Sequence, residues 1–421
     1  MAESDKIRVI LLIGTQTYRG TPFVEAAEHI GLEAVKGLDM PKPLARQWRT
    51  TLPLDFRDPD KAVADIVAFA KASPVRAILC VDDNGAVIAA RAAAELGLSH
   101  NSPDASVAAR DKLIMRQRLA DAGVPIPHFV HITTADDPTQ IAAEIHYPVV
   151  VKPTHLSASQ GVIRANTPAE FVEAFHCTRS IALATGDTLN KRQIADMLVE
   201  EYIDGFEVAL EGILAEGHLK LLALFDKPDP LVGPYFEETI YVTPSRLPDA
   251  TQAAILTCAA DACAALGLRE GPVHAELRVN EQGPWVIEVA GRSIGGLCSK
   301  TLRFGTEDIS LEELILRRAV GMDVTALQRE NRAGGVMMIP IPAAGILKNV
   351  EGVEDALSVP GIEEVDITLP LQHPVVPLPE GASYLGFIFA RGETPDEVET
   401  ALREAHRRLH FTIVPNLRLM A

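Results

Sequence analysis

Along the first hundred residues, unbroken apolar runs alternate with segments whose apolar positions recur every three or four residues. IRVILLIG (7–14) and VRAILCVDD (75–83) read as buried strands, and AVIAARAAAELGL (86–98) as a helix with a glycine near its end. Strand–helix alternation predicts a parallel sheet covered by helices, so residues 1 to about 108 read as a Rossmann-like or flavodoxin-like α/β unit. The loop after the first run, GTQTYRG, lacks the GxGxxG spacing of a dinucleotide site. That leaves the unit a structural or substrate-side role.

Helical spacing continues through NSPDASVAARDKLIMRQRLADAGVPIP (101–127), a linker helix that Asp111 can cap or begin and that Gly123 and Pro125 stop. TTADDPTQIAAEIHYP supplies another helix, and Pro148 then leads into VVVKPTHLSASQGVI (149–163), an apolar run ending in a lysine. MLVEEYIDGFEVALEGIL (197–214) reads as two strands flanking Asp204–Gly205, a strong hairpin signal. VHAELRVNEQGPWVIEV (273–289) reads as a second hairpin around NEQG. From about Gly334 the chain is strand-rich with many prolines, followed by the helix TPDEVETALREAHRRL capped by Thr394. The fold class is thus α/β first and α+β afterwards, with no internal repeat.

Composition narrows this picture. The 421 residues suffice for two to four units, and 47% hydrophobic with only 5% aromatic residues predicts aliphatic cores. A formal charge of −18 argues against a nucleic-acid partner, and any small anionic ligand must meet a local basic pocket. Five scattered cysteines offer no trusted metal spacing and fit reduced cytosolic thiols. The apolar start is too short for a signal sequence, and no run approaches the roughly 18 residues of a membrane helix. A cytoplasmic protein without a membrane partner is expected.

The chemistry begins in VHAELRVNEQGPWVIEVAGRSIGG (273–296). Side chains alternate faces along a strand, so His274, Glu276 and Arg278 share one face, as do Val286, Glu288 and Ala290 on the return strand. If the turn centres on Gln282, Glu276 lies opposite Glu288. Directly opposed like charges destabilise a sheet unless a cation sits between them. Magnesium takes one or two carboxylates and completes its shell with water and phosphate oxygens. Arg292 just beyond can hold phosphoryl or carboxylate oxygens bidentately. The competing reading is a solvated hairpin, since a one-residue slip flips a strand.

Upstream, Lys152 ends its strand as a point charge for a phosphate, and the small polar loop 155–161 can close over phosphates with its backbone N–H groups. This reverses the order of the GxxxxGK[ST] phosphate loop. Lys112 supplies a second cation. The strand bearing Glu200, Glu201 and Glu207 can offer backbone to an adenine edge and a carboxylate to a ribose, although alone it reads as a solvated hairpin.

Four pieces, DKLIMRQRLADAGVPIP, VVVKPTHLSASQGV, MLVEEYIDGFEVALEG and HAELRVNEQGPWVIEVAGRSIGG, resemble in order and spacing the ATP-grasp superfamily of carboxylate–amine ligases. YLGFIFARGETPDEVETALREAHRRL and GPYFEETIYVTPSRLP resemble its L-amino acid ligase branch, which makes dipeptides from unprotected amino acids. The resemblance implies an ATP-grasp architecture. An N-terminal Rossmann-like domain would span 1–108, linker helices and a small central lid 109–196, and an antiparallel-sheet catalytic domain 197–421, with a strand-rich terminal subdomain from about 330.

The resemblance also implies roles. Lys112 and Lys152 would contact ATP phosphates under a loop formed by Ser157, Ser159 and Gly161. Glu200, Glu201, Tyr202 and Ile203 would line the adenine site, and Glu207 would hold the ribose. Glu276 and Glu288 would bind two magnesium ions, with manganese as a substitute. Arg292, Gly295 and Gly296 would hold an acyl phosphate, and His274 would sit by the substrate as an amine-side base. Many relatives carry asparagine where this chain has Ala290, which removes one metal ligand, and the sparser glycines imply a stiffer loop. The expected partners are a small carboxylate and an amine, in a homodimer. Two alternatives remain: a biotin carboxylase-like or purine-pathway ligase using bicarbonate or formate, and a nucleotide-binding module without turnover.

Overall fold

The computed structural model describes residues 6–14, 17–40, 44–45, 51–184 and 195–415. Thr15 and Gln16 of the first loop, and residues 185–194 of the central unit, lie outside them.

The N-terminal apolar runs form a parallel sheet. Its elements are β1 (Arg8–Ile13), α1 (Gly20–His29), β2 (Glu33–Asp39), β3 (Leu52–Leu54), α2 (Pro59–Ala72), β4 (Ala77–Cys80) and α3 (Ala86–Leu96), with strand order β3-β2-β1-β4. Both faces of β1 are buried, as its unbroken apolar run requires: Ile10 and Leu12 pack under α2 and α3, and Val9 and Leu11 on the α1 side. Gly97 closes α3 in the left-handed conformation, φ 67°.

The segment 101–127 holds two helices, α4 (Pro103–Arg110) and α5 (Lys112–Asp121), the second beginning after Asp111 as its sequence indicates. Asp111 is extended between them, and its side chain accepts from the N–H groups of Leu113 and Ile114. The N-cap therefore breaks the run and fixes where Lys112 begins.

The central unit contains β5 (Phe129–Thr133), α6 (Pro138–Ala142), β6 (Val149–Pro153), β7 (Ile163–Ala165), α7 (Pro168–Ala184) and β8 (Asp196–Glu201), in an antiparallel sheet of order β5-β8-β6-β7. Its sheet continues through β8, past the expected boundary at 196. The expected helix before Pro148 is only the short α6.

The rest of the chain builds one large sheet, one small sheet and the helices that cover them, from β9 (Phe206–Ala215), β10 (His218–Asp226), β11 (Ile240–Thr243), α8 (Asp249–Leu266), β12 (Gly271–Asn280), β13 (Gly283–Ala290), α9 (Leu311–Ala319), β14 (Ala333–Ile339), β15 (Gly345–Glu351), α10 (Val353–Leu357), β16 (Ile362–Asp366), β17 (Pro374–Val375), β18 (Gly386–Gly392), α11 (Pro395–Arg408) and β19 (His410–Val414). Eight strands run β13-β12-β9-β10-β11-β14-β18-β16, and β17-β15-β19 form a small separate sheet. The terminal stretch thus extends the main sheet as well as building its own layer. Thr394 caps α11 by accepting from the Glu397 N–H.

Two expectations are corrected here. The segment 197–214 is not a hairpin, because β8 and β9 lie in different sheets. Asp204–Gly205 is a crossing between them, with Gly205 at φ 127° against the Val279 carbonyl. In the second hairpin, Val286 does not share a face with Glu288. The turn holds two residues, Asn280 pairs with Gly283, and a bulge at Ile287 restores the pairing of Glu276 with Glu288. Val286 instead joins Leu277, Ala275 and Val289 in the core beneath α8. Among the described residues no helix is long and apolar enough to cross a membrane, and all five thiols are free.

Candidate active site

Strand register builds the floor of the site. On the face away from α8, β12 places His274 beside Glu211 of β9, Glu276 beside Ala209, and Arg278 beside Glu207. On its other edge Glu276 faces Glu288 and His274 faces Ala290. The lid strands β6 and β8 and their following loops form the roof, and loops after β1 and β4 form one wall. They enclose a cavity of about 1090 Å³. It is lined by Lys112, Lys152, Ser157, Ser159, Glu200, Glu201, Tyr202, Ile203, Glu207, His274, Glu276, Glu288, Arg292, Gly295 and Gly296. Gly161 is not among the lining residues. Its N–H donates to the Pro379 carbonyl at 2.9 Å and its own carbonyl accepts from Thr178, so it anchors the loop and offers no donor to a phosphate.

Both predicted lysines are buried. Lys112 Nζ donates to the Leu156 carbonyl at 2.9 Å and to Glu288 at 3.2 Å. Lys152 Nζ lies 2.6 Å from Glu200 Oε2. Glu200 also accepts from Arg116 Nε at 2.8 Å, so it neutralises a buried pair of cations. Burial, working against the attraction of Glu200, lowers the Lys152 ammonium to about 8. Burial opposes the Glu200 charge, but Arg116 and Lys152 hold its carboxyl below the usual range. Glu288 behaves similarly: burial opposes ionisation, and Lys112 and Lys152 keep it ionised.

Glu276 and Glu288 suit a hard divalent cation. Each uses only Oε1 in its contacts with protein groups, Glu276 with Lys227 and His274 and Glu288 with Lys112. The second oxygen of each carries no hydrogen bond from a described residue. Carboxylate oxygens open to a cavity that also receives two lysines are a donor set for magnesium shared with phosphates. Ala290 adds no ligand, so water or phosphate must complete the shell. A different acidic trio, Glu207, Glu238 and Glu276, brings its oxygens within 4.8 Å of one another. Its centre holds the Lys227 ammonium, at 2.8, 2.8 and 3.2 Å from the three. These carboxylates lift Lys227 well above its usual value despite burial.

Glu207 is engaged on both oxygens, by Lys227 and by Arg278 at 2.8 Å each. Arg278 also donates to the Ile203 carbonyl. The Tyr202 ring stacks on Phe236, with the Arg164 guanidinium 3.9 Å above its centroid. Farther along, Arg292 donates to Asp83 at 2.9 Å, and the Gly296 N–H donates to the Tyr18 hydroxyl at 3.1 Å. His274 lies between two carboxylates, with Nε2 3.4 Å from Glu276 and Nδ1 3.5 Å from the fully buried Glu211. Burial, against the pull of His274, raises Glu211.

The sequence reading missed Arg116, Lys227, Glu238, Asp83 and Arg19. Arg116 lies four residues after Lys112, one helical turn on the same face, which is a legible signal. FDKPDP repeats at Lys227 the Lys-Pro strand exit of VVVKPT. Asp83 and Arg19 follow β4 and β1, at the carboxyl ends of parallel strands where open α/β sheets bind ligands.

Comparisons with known proteins agree with this architecture. The ATP-grasp N-terminal domain matches residues 24–100, the ATP-grasp domain 145–301, and the L-amino acid ligase C-terminal domain 2 matches 337–414. The chain is 30% identical over 307 residues to alanine–anticapsin ligase of Bacillus subtilis, an alignment covering 65% of this chain and 62% of that protein's length. It is 24% identical over 423 residues to an uncharacterized protein, y4rH, of Sinorhizobium fredii, covering 98% of this chain and 85% of that protein. The crystal structure of L-amino acid ligase from Bacillus licheniformis superposes with a TM-score of 0.81 at 24% identity, over 98% of this chain and 100% of that one. That likeness establishes a shared fold. With its N-terminal, central and C-terminal domain matches following one another in order around one cleft, the chain carries an ATP-grasp domain and has the ATP-grasp fold.

Proposed function

We propose that the chain is an ADP-forming ligase that joins a carboxylate, an L-amino acid, to the amine of a second amino acid through an acyl phosphate. The observation that carries this reading is the pairing of Glu276 with Glu288 in a cleft that also receives Lys112, Lys152 and Arg292. One oxygen of the substrate carboxylate attacks the γ-phosphorus of ATP, the bond to the ADP oxygen breaks, and ADP leaves. The amine, after losing a proton, attacks the acyl carbon and displaces phosphate, and a second proton leaves the nitrogen. Likeness to a protein named alanine–anticapsin ligase supports the amino-acid assignment.

Each group has a proposed task. Lys112 and Lys152 hold phosphate oxygens while Ser157 and Ser159 cover them. Magnesium held by Glu276 and Glu288 supplies charge neutralisation of the phosphates. Arg292 leaves Asp83, and the Gly296 N–H leaves Tyr18, to grip the acyl phosphate. His274 accepts the proton of the incoming ammonium. No protein nucleophile is needed, because positioning and charge neutralisation do most of the work in phosphoryl transfer. Water must be excluded, and the roof over the cleft does this.

The test is a phosphate-release screen of amino acids, singly and in pairs, with mass detection of products. The reading predicts ADP, phosphate and an amide in equal amounts for particular pairs. Release stimulated by bicarbonate or formate without amino acids would favour the other branch of the family, and ATP binding with no release over a broad panel would favour a module without turnover.

A further inference from the structure

Arg19 is the anomaly in the cleft. It is 92% buried, its relative exposure being 8%, and it lines the cavity. Its guanidinium donates to the Ser293 hydroxyl, yet no carboxylate lies within salt-bridge distance of it among the described residues. Burial and the nearby Arg292 lower its pKa from the ordinary arginine value. Arg19 also immediately precedes α1, a ten-residue helix with no side-chain cap and no acidic residue in its first turn. The positive end of a helix dipole disfavours a cation there and favours an anion. A buried guanidinium facing a cavity, beside another arginine and at a helix N-terminus, is costly unless an anion arrives to complete it.

The location narrows the choice of anion. The groups acting most strongly on Arg19 are Arg292, Glu312, Tyr18 and Glu211, not the two lysines of the nucleotide side. Ser293, which Arg19 touches, lies between Arg292 and Gly295–Gly296 in sequence, the strip assigned above to the acyl phosphate. The amine must reach the acyl carbon at that strip. In an α-amino acid the carboxylate carbon is only two bonds from the attacking nitrogen. We infer that Arg19, with the N-terminus of α1, binds the α-carboxylate of the amine substrate, which makes that substrate an α-amino acid and not a simple amine. This rests on the ligase reading above. Arg19 forms a fork–fork pair with the carboxylate, a geometry that lysine cannot reproduce.

The experiment compares L-amino acids with their carboxamides as amine substrates, in the full chain and in Arg19→Gln and Arg19→Lys. Hydroxylamine trapping of the acyl phosphate in the unaltered chain stands as the separate check of the ligase reading. Absence of hydroxamate would sink that reading and this inference with it. Given hydroxamate, the unaltered chain should use the amino acid about 10- to 100-fold better than its carboxamide, the range of a charge-assisted pair. R19Q should lose about that factor in kcat/KM for the amino acid, mainly through KM, and no more than about threefold for the carboxamide. R19K should fall between. Equal losses on both substrates in both variants, or a loss of hydroxamate formation as large as the loss of amide formation, would overturn the assignment.

Discussion

At the residue scale, the cleft is a set of buried charges that hold one another until a nucleotide arrives. Lys152 is the clearest case. In the free protein it loses its proton at about 8, whereas a bound phosphate favours the ammonium form and keeps it charged. Binding ATP above that pH therefore takes up a proton. ATP affinity should be flat below about pH 7 and fall as pH rises through 8, and Lys152→Arg should remove the fall; titration calorimetry in buffers of different ionisation enthalpy reads both. Arg116 is the structural side of the same network. Arg116→Met leaves Glu200 with one cation, and losing a buried ionic partner costs about 3–5 kcal/mol, measurable by urea unfolding. The positions of Lys152 and the two glutamates were legible because each ends or pairs a strand in a readable pattern, and that of Lys112 because it follows a capping aspartate at the start of a helix. Glu211 was not, because in FEVALEGIL nothing separates a buried acid from one facing water.

At the scale of elements, register decides what meets. The pairing of Glu276 with Glu288 was legible, but through the wrong turn: a two-residue loop and a bulge at Ile287 together produce the register that a centre at Gln282 would have given. Alternation in sequence carries no mark of a bulge, and so Val286 was assigned to the wrong face. The Asp-Gly signal likewise specified a reversal without saying which sheet the second strand joins. Gly205→Ala tests the crossing. A Cβ there would lie 2.2 Å from the Val279 carbonyl oxygen. Strain of about 1–3 kcal/mol from the backbone and a similar amount from the clash should lower the unfolding midpoint and displace Ile203 from the cleft.

At the scale of the whole molecule, three units close on one cavity, and the roof is fastened from outside its own sheet. Gly161 N–H and the Gln160 amide donate to the carbonyls of Pro379 and Glu380, while Ile163 and Arg164 of β7 meet Tyr235 and Pro234. The lid is therefore tied to both the β10–β11 connection and the terminal subdomain. Gln160→Ala removes one tie without touching a proposed ligand. It should raise ATP hydrolysis in the presence of the carboxylate but absence of the amine by roughly two- to tenfold, the size of one hydrogen bond, as water reaches the acyl phosphate. The alternation of strands and helices announced the N-terminal unit, and the division of the rest came from the resemblance to the ATP-grasp superfamily. Their mutual ties were not legible, since their partners sit in irregular segments between about 70 and 220 residues away.

The central claim is that the carboxylate is activated by phosphoryl transfer at the Glu276–Glu288 site. The most direct measurement uses the best amino-acid pair with the acyl partner labelled with ¹⁸O in its carboxylate, and follows the label by mass spectrometry of the released phosphate. The account predicts one labelled oxygen in the phosphate per amide formed, with Glu276→Gln and Glu288→Gln each slowing label transfer by at least about 100-fold, the usual cost of losing electrostatic stabilisation of this kind. Amide formed with unlabelled phosphate, or label transfer at near-normal rate in either variant, would contradict it.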